Sequence, residues 1–434
     1  MADIALIESI DHEGVGVAHV DGKVTFIDGG VTGERVEFSR RRSRGNFDLG
    51  TVTRVLRESA QRVAPRCRWD GTCGGCAMQH VDPVAQVAAK QRVLEDNLAR
   101  LGKVKPDMVL PPIQGPSWGY RNRARLSVHY VAKKGGVLVG FHEKKSSFVA
   151  DTNSCEVLPP HVAKLLPALR EMFTAMKIRD RVPQLELAVG AKVTVFVLRH
   201  LEPIPDEDAA LMRAFADAHG IQWWLQPKGP DTAHPFYPME APPLDYALPE
   251  FALDMAFRPT EFTQVNAGVN RVLVKRAVDA LDPKPGERVG DLFCGLGNFS
   301  LPIATRGATV IGMEGSPGLV ARAGENARAN GLEHLASFIA HDLYTDAEGA
   351  LKKLGPVDKL LIDPPRDGAM EICKALPEAG APTTIVYVSC SPATLARDAG
   401  LLVNVKGYSL EAAGVVNMFP HTGHVESIAV FRRN

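Results

Sequence analysis

The sequence predicts an α/β protein in three parts: a small antiparallel barrel over residues 1–60, an α+β region over 61–260 and a doubly wound domain over 261–434. Three observations carry this. Short alternating segments broken by Gly and Asp fill the start of the chain. A cysteine-rich stretch with Cys67, Cys73 and Cys76 follows, and a fourth cysteine, Cys155, lies far downstream. From Phe262 onward, helical and buried-strand patterns alternate, as they do around a parallel sheet. With 434 residues, 45% apolar and 23% charged, the chain can support several cores.

In the first part, segments 15–20, 23–27, 35–39 and 50–56 alternate in polarity, with turns at Asp21-Gly22, Asp28-Gly29-Gly30 and Thr32-Gly33. Short strands at this spacing suggest an OB-like barrel, a type that often binds oligonucleotides. The formal net charge is +0, yet residues 35–72 carry ten arginines against Glu37, Asp48, Glu58 and Asp70. A basic N-terminal half on an acidic C-terminal half points to a polyanion partner for the first and a small-molecule site in the second. Arg40, Arg41, Arg42 and Arg44 are the densest basic group and the candidate grip.

In the middle part, Asp82 is a plausible N-cap before Pro83, and Val84, Val87, Leu94, Leu98 and Leu101 recur at helical spacing until Gly102. Strands are expected at 124–130, 137–141, 185–189 and 192–198, and helices near 161–176 and 206–219. The Pro-rich segment 227–243 reads as a long loop. Strands of the third part fall at 288–293, 309–314, 337–340, 359–363, 384–389 and 427–431, with helices between.

The chemistry sits at strand ends. After the first strand of the third part, Cys294-Gly295-Leu296-Gly297-Asn298-Phe299-Ser300 opens the next helix, and its glycines let the backbone approach a ligand. Glu314 ends the next strand, where it can accept from ribose hydroxyls. Phe299-Ser300 replaces the third glycine of a dinucleotide fingerprint, which argues for a ligand without pyrophosphate. S-adenosylmethionine fits; a nucleotide-dependent dehydrogenase is the alternative. Asp342 ends the third strand, within reach of an adenine amine, and Asp363 ends the fourth in Asp-Pro-Pro-Arg, where it also suits an N-cap.

Cys390, in Val388-Ser389-Cys390-Ser391-Pro392, stands at a strand's C-terminal end ahead of a helix that Pro392 can begin. A thiolate there gains from the positive helix end, so its pKa is expected to fall. A methyltransferase needs such a thiol when its target is carbon 5 of uracil, which is a poor nucleophile. Addition of the thiolate to carbon 6 makes an enolate whose carbon 5 attacks the methylsulfonium, and a base then removes the carbon 5 proton. Glu426 in His-Thr-Gly-His-Val-Glu is the candidate base, with no catalytic role for His421 or His424. The four early cysteines suit a [4Fe–4S] cluster or structural zinc, three close and one remote favouring the cluster.

Over essentially its whole length the chain resembles the bacterial large-subunit (23S) ribosomal RNA uracil-5-methyltransferases, in the branch with an N-terminal TRAM barrel and a [4Fe–4S] cluster. Glu13-Gly14-Val15-Gly16 with Gly33-Glu34-Arg35 is similar to TRAM domains, and Cys67, Cys73, Cys76 and Cys155 match the cluster ligands. Phe262-Thr263-Gln264-Val265-Asn266 resembles the motif whose glutamine contacts the cofactor. By the same matching, Gln264, Phe293, Asn298, Glu314, Asp342 and Asp363 fall on cofactor positions, Cys390 on the nucleophile and Glu426 on the base. Asp342 stands where relatives carry Asn. The resemblance implies a TRAM/OB-like RNA-binding barrel, a central iron–sulfur domain, a Rossmann-like methyltransferase domain and 23S ribosomal RNA as partner. The transfer-RNA branch is expected to lack barrel and cluster.

The competing expectations are a transfer-RNA uracil-5-methyltransferase, an RNA cytosine-5-methyltransferase and an RNA-binding iron–sulfur protein without activity. The cytosine enzymes carry a Pro-Cys motif after the fourth strand, absent from Asp-Pro-Pro-Arg. With neither a signal-like apolar run at 1–10 nor a membrane-length one, the chain is expected to be a cytoplasmic monomer with no membrane and no obligatory protein partner.

Overall fold

The structure, a computed structural model, describes residues 3–433. Its first six strands are β1 (Asp3–Leu6), β2 (Ser9–Ile10), β3 (Gly16–Val20), β4 (Lys23–Asp28), β5 (Arg35–Ser43) and β6 (Phe47–Arg57), in the sheet order β1-β5-β6-β4-β3-β2. The edge strands β1 and β2 are consecutive in the chain, so the sheet rolls on itself around Ala5, Ile7, Ala18, Ile27, Val36 and Phe38. The roll is not purely antiparallel as expected: β5 skips a slot that β6 then fills, and β6 runs parallel to β4. The basic group is also corrected. Arg40 is tied to Asp3 (2.7 Å), Asp21 (3.0 Å) and Asp48 (2.9 Å), so it holds strands together, while Arg41, Arg42 and Arg44 are exposed.

Helix α1 (Pro83–Asn97) begins where Asp82 Oδ1 accepts from Val84 N–H (2.9 Å), runs into a π turn over Leu98–Gly102 and stops at Lys103, whose φ is 56°. Val87, Leu94 and Leu98 are buried as the pattern requires. Val84 and Leu101 are not, at 69% and 58% exposed, and Gln86 and Lys90 occupy the buried face instead. The next strand, β7 (Met108–Val109), is the edge of the C-terminal sheet, on which α1 also packs. Residues 83–109 thus pack with the C-terminal sheet.

The central sheet comprises β8 (Arg123–Val131), β9 (Gly136–Gly140), β10 (Gln184–Val189), β11 (Thr194–Arg199), β12 (Ile221–Gln226) and β13 (His234–Tyr237), in the order β13-β12-β11-β10-β8-β9. Helices α2 (Pro160–Ala163), α3 (Leu166–Ala175) and α4 (Asp206–His219) cover it around Phe173, Phe196 and Trp223. Part of the expected 227–243 loop is strand β13, which carries Pro235 at the sheet edge, where a missing N–H costs no ladder bond. A hairpin of β14 (Asp245–Leu248) and β15 (Leu253–Ala256) leads onward.

The C-terminal part runs α5 (Ala267–Leu281), β16 (Arg288–Leu292), α6 (Ser300–Ala304), β17 (Thr309–Glu314), α7 (Pro317–Ala329), β18 (Ala336–Ala340), α8 (Ala347–Leu354), β19 (Lys359–Ile362), α9 (Met370–Ala375), β20 (Thr384–Ser389), α10 (Pro392–Asn404), β21 (Ser409–Val416) and β22 (Glu426–Arg432). The sheet order is β18-β17-β16-β19-β20-β22-β21-β7, parallel from β18 to β20. Strands such as β20 are buried at every residue, as helices on both faces demand. The order reverses between β16 and β19, and ligands bind at such a switch point beyond the carboxyl ends of the strands.

Candidate active site

A cleft of about 550 Å³ opens at that switch point. It is lined by Gln264, Phe293, Asn298, Glu314, Asp342, Asp363, Cys390 and Glu426, so every residue expected to bind the cofactor or react reaches one cavity. Phe293 has φ 63°, followed by Gly295 (56°) and Gly297 (94°), and this left-handed turn bares the backbone of the β16–α6 loop. Glu314 braces it: one carboxylate oxygen accepts from Gly295 N–H (3.2 Å), the other from Ser316 N–H (2.9 Å). Asn298 exchanges amide hydrogen bonds with Asn270 (3.0 Å each) and accepts from Tyr246 O–H (2.7 Å). Asp342, two residues beyond the end of β18, accepts at Oδ1 from Tyr344 and Thr345 N–H in the turn that follows. Asp363 caps no helix, since α9 starts only at Met370; burial pushes its carboxyl up to about 7.

Strand register sets the reacting pair. Ser389 of β20 is opposite Ser427 of β22, so Cys390 and Glu426, one residue further along each antiparallel strand, come together at the cleft. Glu426 is 7% exposed, and burial with the nearby Asp363 raises it to about 8, opposed by Lys90 and Arg366. The expectation of a lowered thiol at Cys390 is overturned. Burial, then the Glu426 and Asp363 carboxyls, push it up to about 11, and Arg366 offsets only part. Ser391 Oγ caps α10 at Thr394 N–H (3.5 Å).

Several lining residues carried no expectation. Tyr246 comes from the hairpin before the methyltransferase part, and Phe419 from the β21–β22 loop. Arg366 donates to His424 Nδ1 (2.9 Å), which therefore accepts there, and both side chains face the cleft. His421, 1% exposed and stacked on Trp118 at 3.9 Å, is structural. The Arg366 loop is clamped from α10: Asp398 Oδ2 accepts from Ala369 N–H (2.7 Å) and Tyr387 O–H (2.7 Å), and Arg397 donates to Asp367 O (2.8 Å).

Cys67, Cys73, Cys76 and Cys155 line a second cavity with Trp69 and Phe141, and all seven cysteines are unbridged. Burial raises the Cys76 thiol to about 12 and Cys155 to about 11. Gly75 N–H donates to Cys73 Sγ (3.4 Å). Among the described residues no three His, Cys, Asp or Glu side chains are arranged to hold a metal ion. Among the same residues no helix is long and apolar enough to cross a membrane.

Fold and cleft together define the class, a Rossmann-like methyltransferase with Cys390 among the residues lining its cleft. A family profile described as tRNA (Uracil-5-)-methyltransferase matches residues 248–434. The 23S rRNA (uracil(1939)-C(5))-methyltransferase RlmD of Thiobacillus denitrificans is 63% identical, covering 100% of both chains. Its namesake in Aromatoleum aromaticum is 59% identical over 99% of this chain and 100% of its own. The chain belongs to this family of 23S rRNA (uracil-C5)-methyltransferases. The crystal structure of a Pyrococcus abyssi tRNA (uracil-54, C5)-methyltransferase with S-adenosyl-L-homocysteine shares the fold, with a TM-score of 0.75, 22% identity and coverage of 99% of this chain and 100% of its own.

Proposed function

We propose that the chain methylates carbon 5 of a uracil in 23S ribosomal RNA, with S-adenosylmethionine as donor. The observation that carries this is the juxtaposition of Cys390 and Glu426 across the β20–β22 register, in the cleft lined by the cofactor residues. Cys390 gives its proton to solvent water and its sulfur adds to carbon 6; carbon 5 of the resulting enolate takes the methyl group and S-adenosylhomocysteine leaves. Glu426, as carboxylate, removes the carbon 5 proton, and the electron pair expels the Cys390 thiolate. Gln264, Phe293, Asn298, Glu314, Asp342 and Asp363 hold the donor.

The rolled sheet is proposed as a TRAM/OB-like RNA grip over 1–60, with the central part to 260 and the methyltransferase part from 261. Cys67, Cys73, Cys76 and Cys155 would hold a [4Fe–4S] cluster, which supplies a structural cross-link between the 67–76 loop and the central sheet. Four cysteines around one cavity support it. The same reading makes the enzyme a cytoplasmic monomer.

The test incubates the protein and radiolabelled donor with undermodified 23S RNA, transfer RNA and their 5-fluorouracil forms. Methyl label in ribosomal uracil, and a fluorouracil adduct lost in Cys390→Ala, are expected. Label in transfer RNA alone, or in cytosine, would overturn the assignment.

A further inference from the structure

Two polar side chains of α1 are buried on the face where an apolar stripe is expected. Gln86 and Lys90 stand one turn apart, are 1% and 0% exposed, and both reach the loop between β21 and β22. Gln86 accepts from His421 N–H (2.9 Å) and donates to Met78 O (2.9 Å) and Val81 O (2.8 Å). Lys90 Nζ donates to Asn417 Oδ1 (2.9 Å) and Phe419 O (2.9 Å). Both of those acceptors are neutral, and a buried ammonium without a counter-charge is costly. Val416 pairs with Glu426 across β21 and β22, so Asn417, which Lys90 holds, is the residue next to Glu426's strand partner.

We infer that Lys90 is a positioning residue for the reaction: from the buried face of α1 it fixes the loop 417–425 and keeps a positive charge behind Glu426. This rests on Glu426 being the base. The groups facing Glu426 are Asp363 and Arg366 beyond β19, Cys390 at the β20–α10 turn, His424 on its own loop and Lys90 from α1. Asp363 raises it; Lys90 and Arg366 lower it. His421 and His424 are the other titratable groups in the field of Lys90. Without the ammonium, the carboxylate form of Glu426 becomes scarcer at neutral pH. Lys90 itself is brought down to about 8 by burial, so its help fades at alkaline pH.

The test follows single-turnover release of methylated RNA from the covalent complex, across neutral to alkaline pH, in full-length wild type, Lys90→Met, Lys90→Gln and Glu426→Gln. In Lys90→Met the rising limb should move up by about one pH unit, with release ~10-fold slower at neutral pH. It should converge on wild type at alkaline pH, while donor affinity and fluorouracil adduct formation hold. Lys90→Gln keeps a donor without charge and should show the same limb shift, which covers the case that Lys90→Met does not fold. A uniform fall at every pH with an unmoved limb would leave Lys90 as a strut only and overturn the inference. Wild-type release in Glu426→Gln would instead remove the base assignment itself.

Discussion

At the scale of single residues, the cleft sets opposite demands on its two reacting groups. Glu426 must be a carboxylate to take a proton, yet burial and Asp363 hold its pKa at about 8. A base raised this way works only above its pKa, so release of methylated RNA should rise with pH through about 8 and level off beyond it. Glu426→Gln should still form the methylated adduct and release it ~10²–10⁴-fold more slowly, read by single-turnover kinetics. That Cys390 and Glu426 meet in one cleft was legible in the sequence because both stand at strand ends. Lys90 was not: a lysine in an amphipathic helix reads as solvated until its burial is seen. Tyr246 was missed for a different reason. It lies outside the doubly wound pattern and reaches Asn298 only through the tertiary fold.

At the scale of elements, the loop after β19 is held by α10 rather than by its own sequence. Gly368 has φ 77°, and a Cβ there would stand 2.6 Å from Arg397 Nη2 and 2.7 Å from Asp398 Oδ2. Gly368→Ala therefore combines backbone strain with displacement of the Asp398 clamp. It should cost about 1–3 kcal/mol, read as a lower Tm and weaker donor affinity in calorimetry. Most strands of the doubly wound part were legible because buried runs of Val, Ile and Leu leave little choice. β21 was not, since Ser-Leu-Glu-Ala-Ala-Gly-Val-Val is built of small residues with weak strand preference and gains its place by pairing with β22. β13 escaped because prolines in a sequence mark a loop, although an edge strand tolerates them.

At the scale of the whole molecule, RNA binding and chemistry are assigned to different parts. Neutralising Arg41, Arg42 and Arg44 should raise the KM for RNA and flatten its salt dependence, the slope falling by roughly 0.7 for each phosphate that is no longer neutralised. Donor affinity should stay unchanged. Arg40→Ala should instead lower the Tm, because its three carboxylate partners belong to the rolled sheet. Anaerobically purified protein should contain iron; one zinc per chain without iron would replace the cluster assignment. The separate N-terminal, central and C-terminal sheets were legible from composition and punctuation. The attachment of α1 to the C-terminal sheet was not, since nothing local in 83–109 names a partner so distant in the chain.

That attachment bears on how the protein is made. Met108 pairs with Ala412 and Val109 with Ala413, so the outermost strand of the catalytic sheet is synthesised long before its neighbour exists. During translation β7 must wait, and the methyltransferase part cannot finish folding until the ribosome has delivered nearly the whole chain. A fragment beginning at residue 248, where the family match begins, would carry β21 with a bare edge and no α1 over it. Such an edge invites pairing with other chains. The fragment should elute from size-exclusion columns as aggregates, whereas the full chain should not.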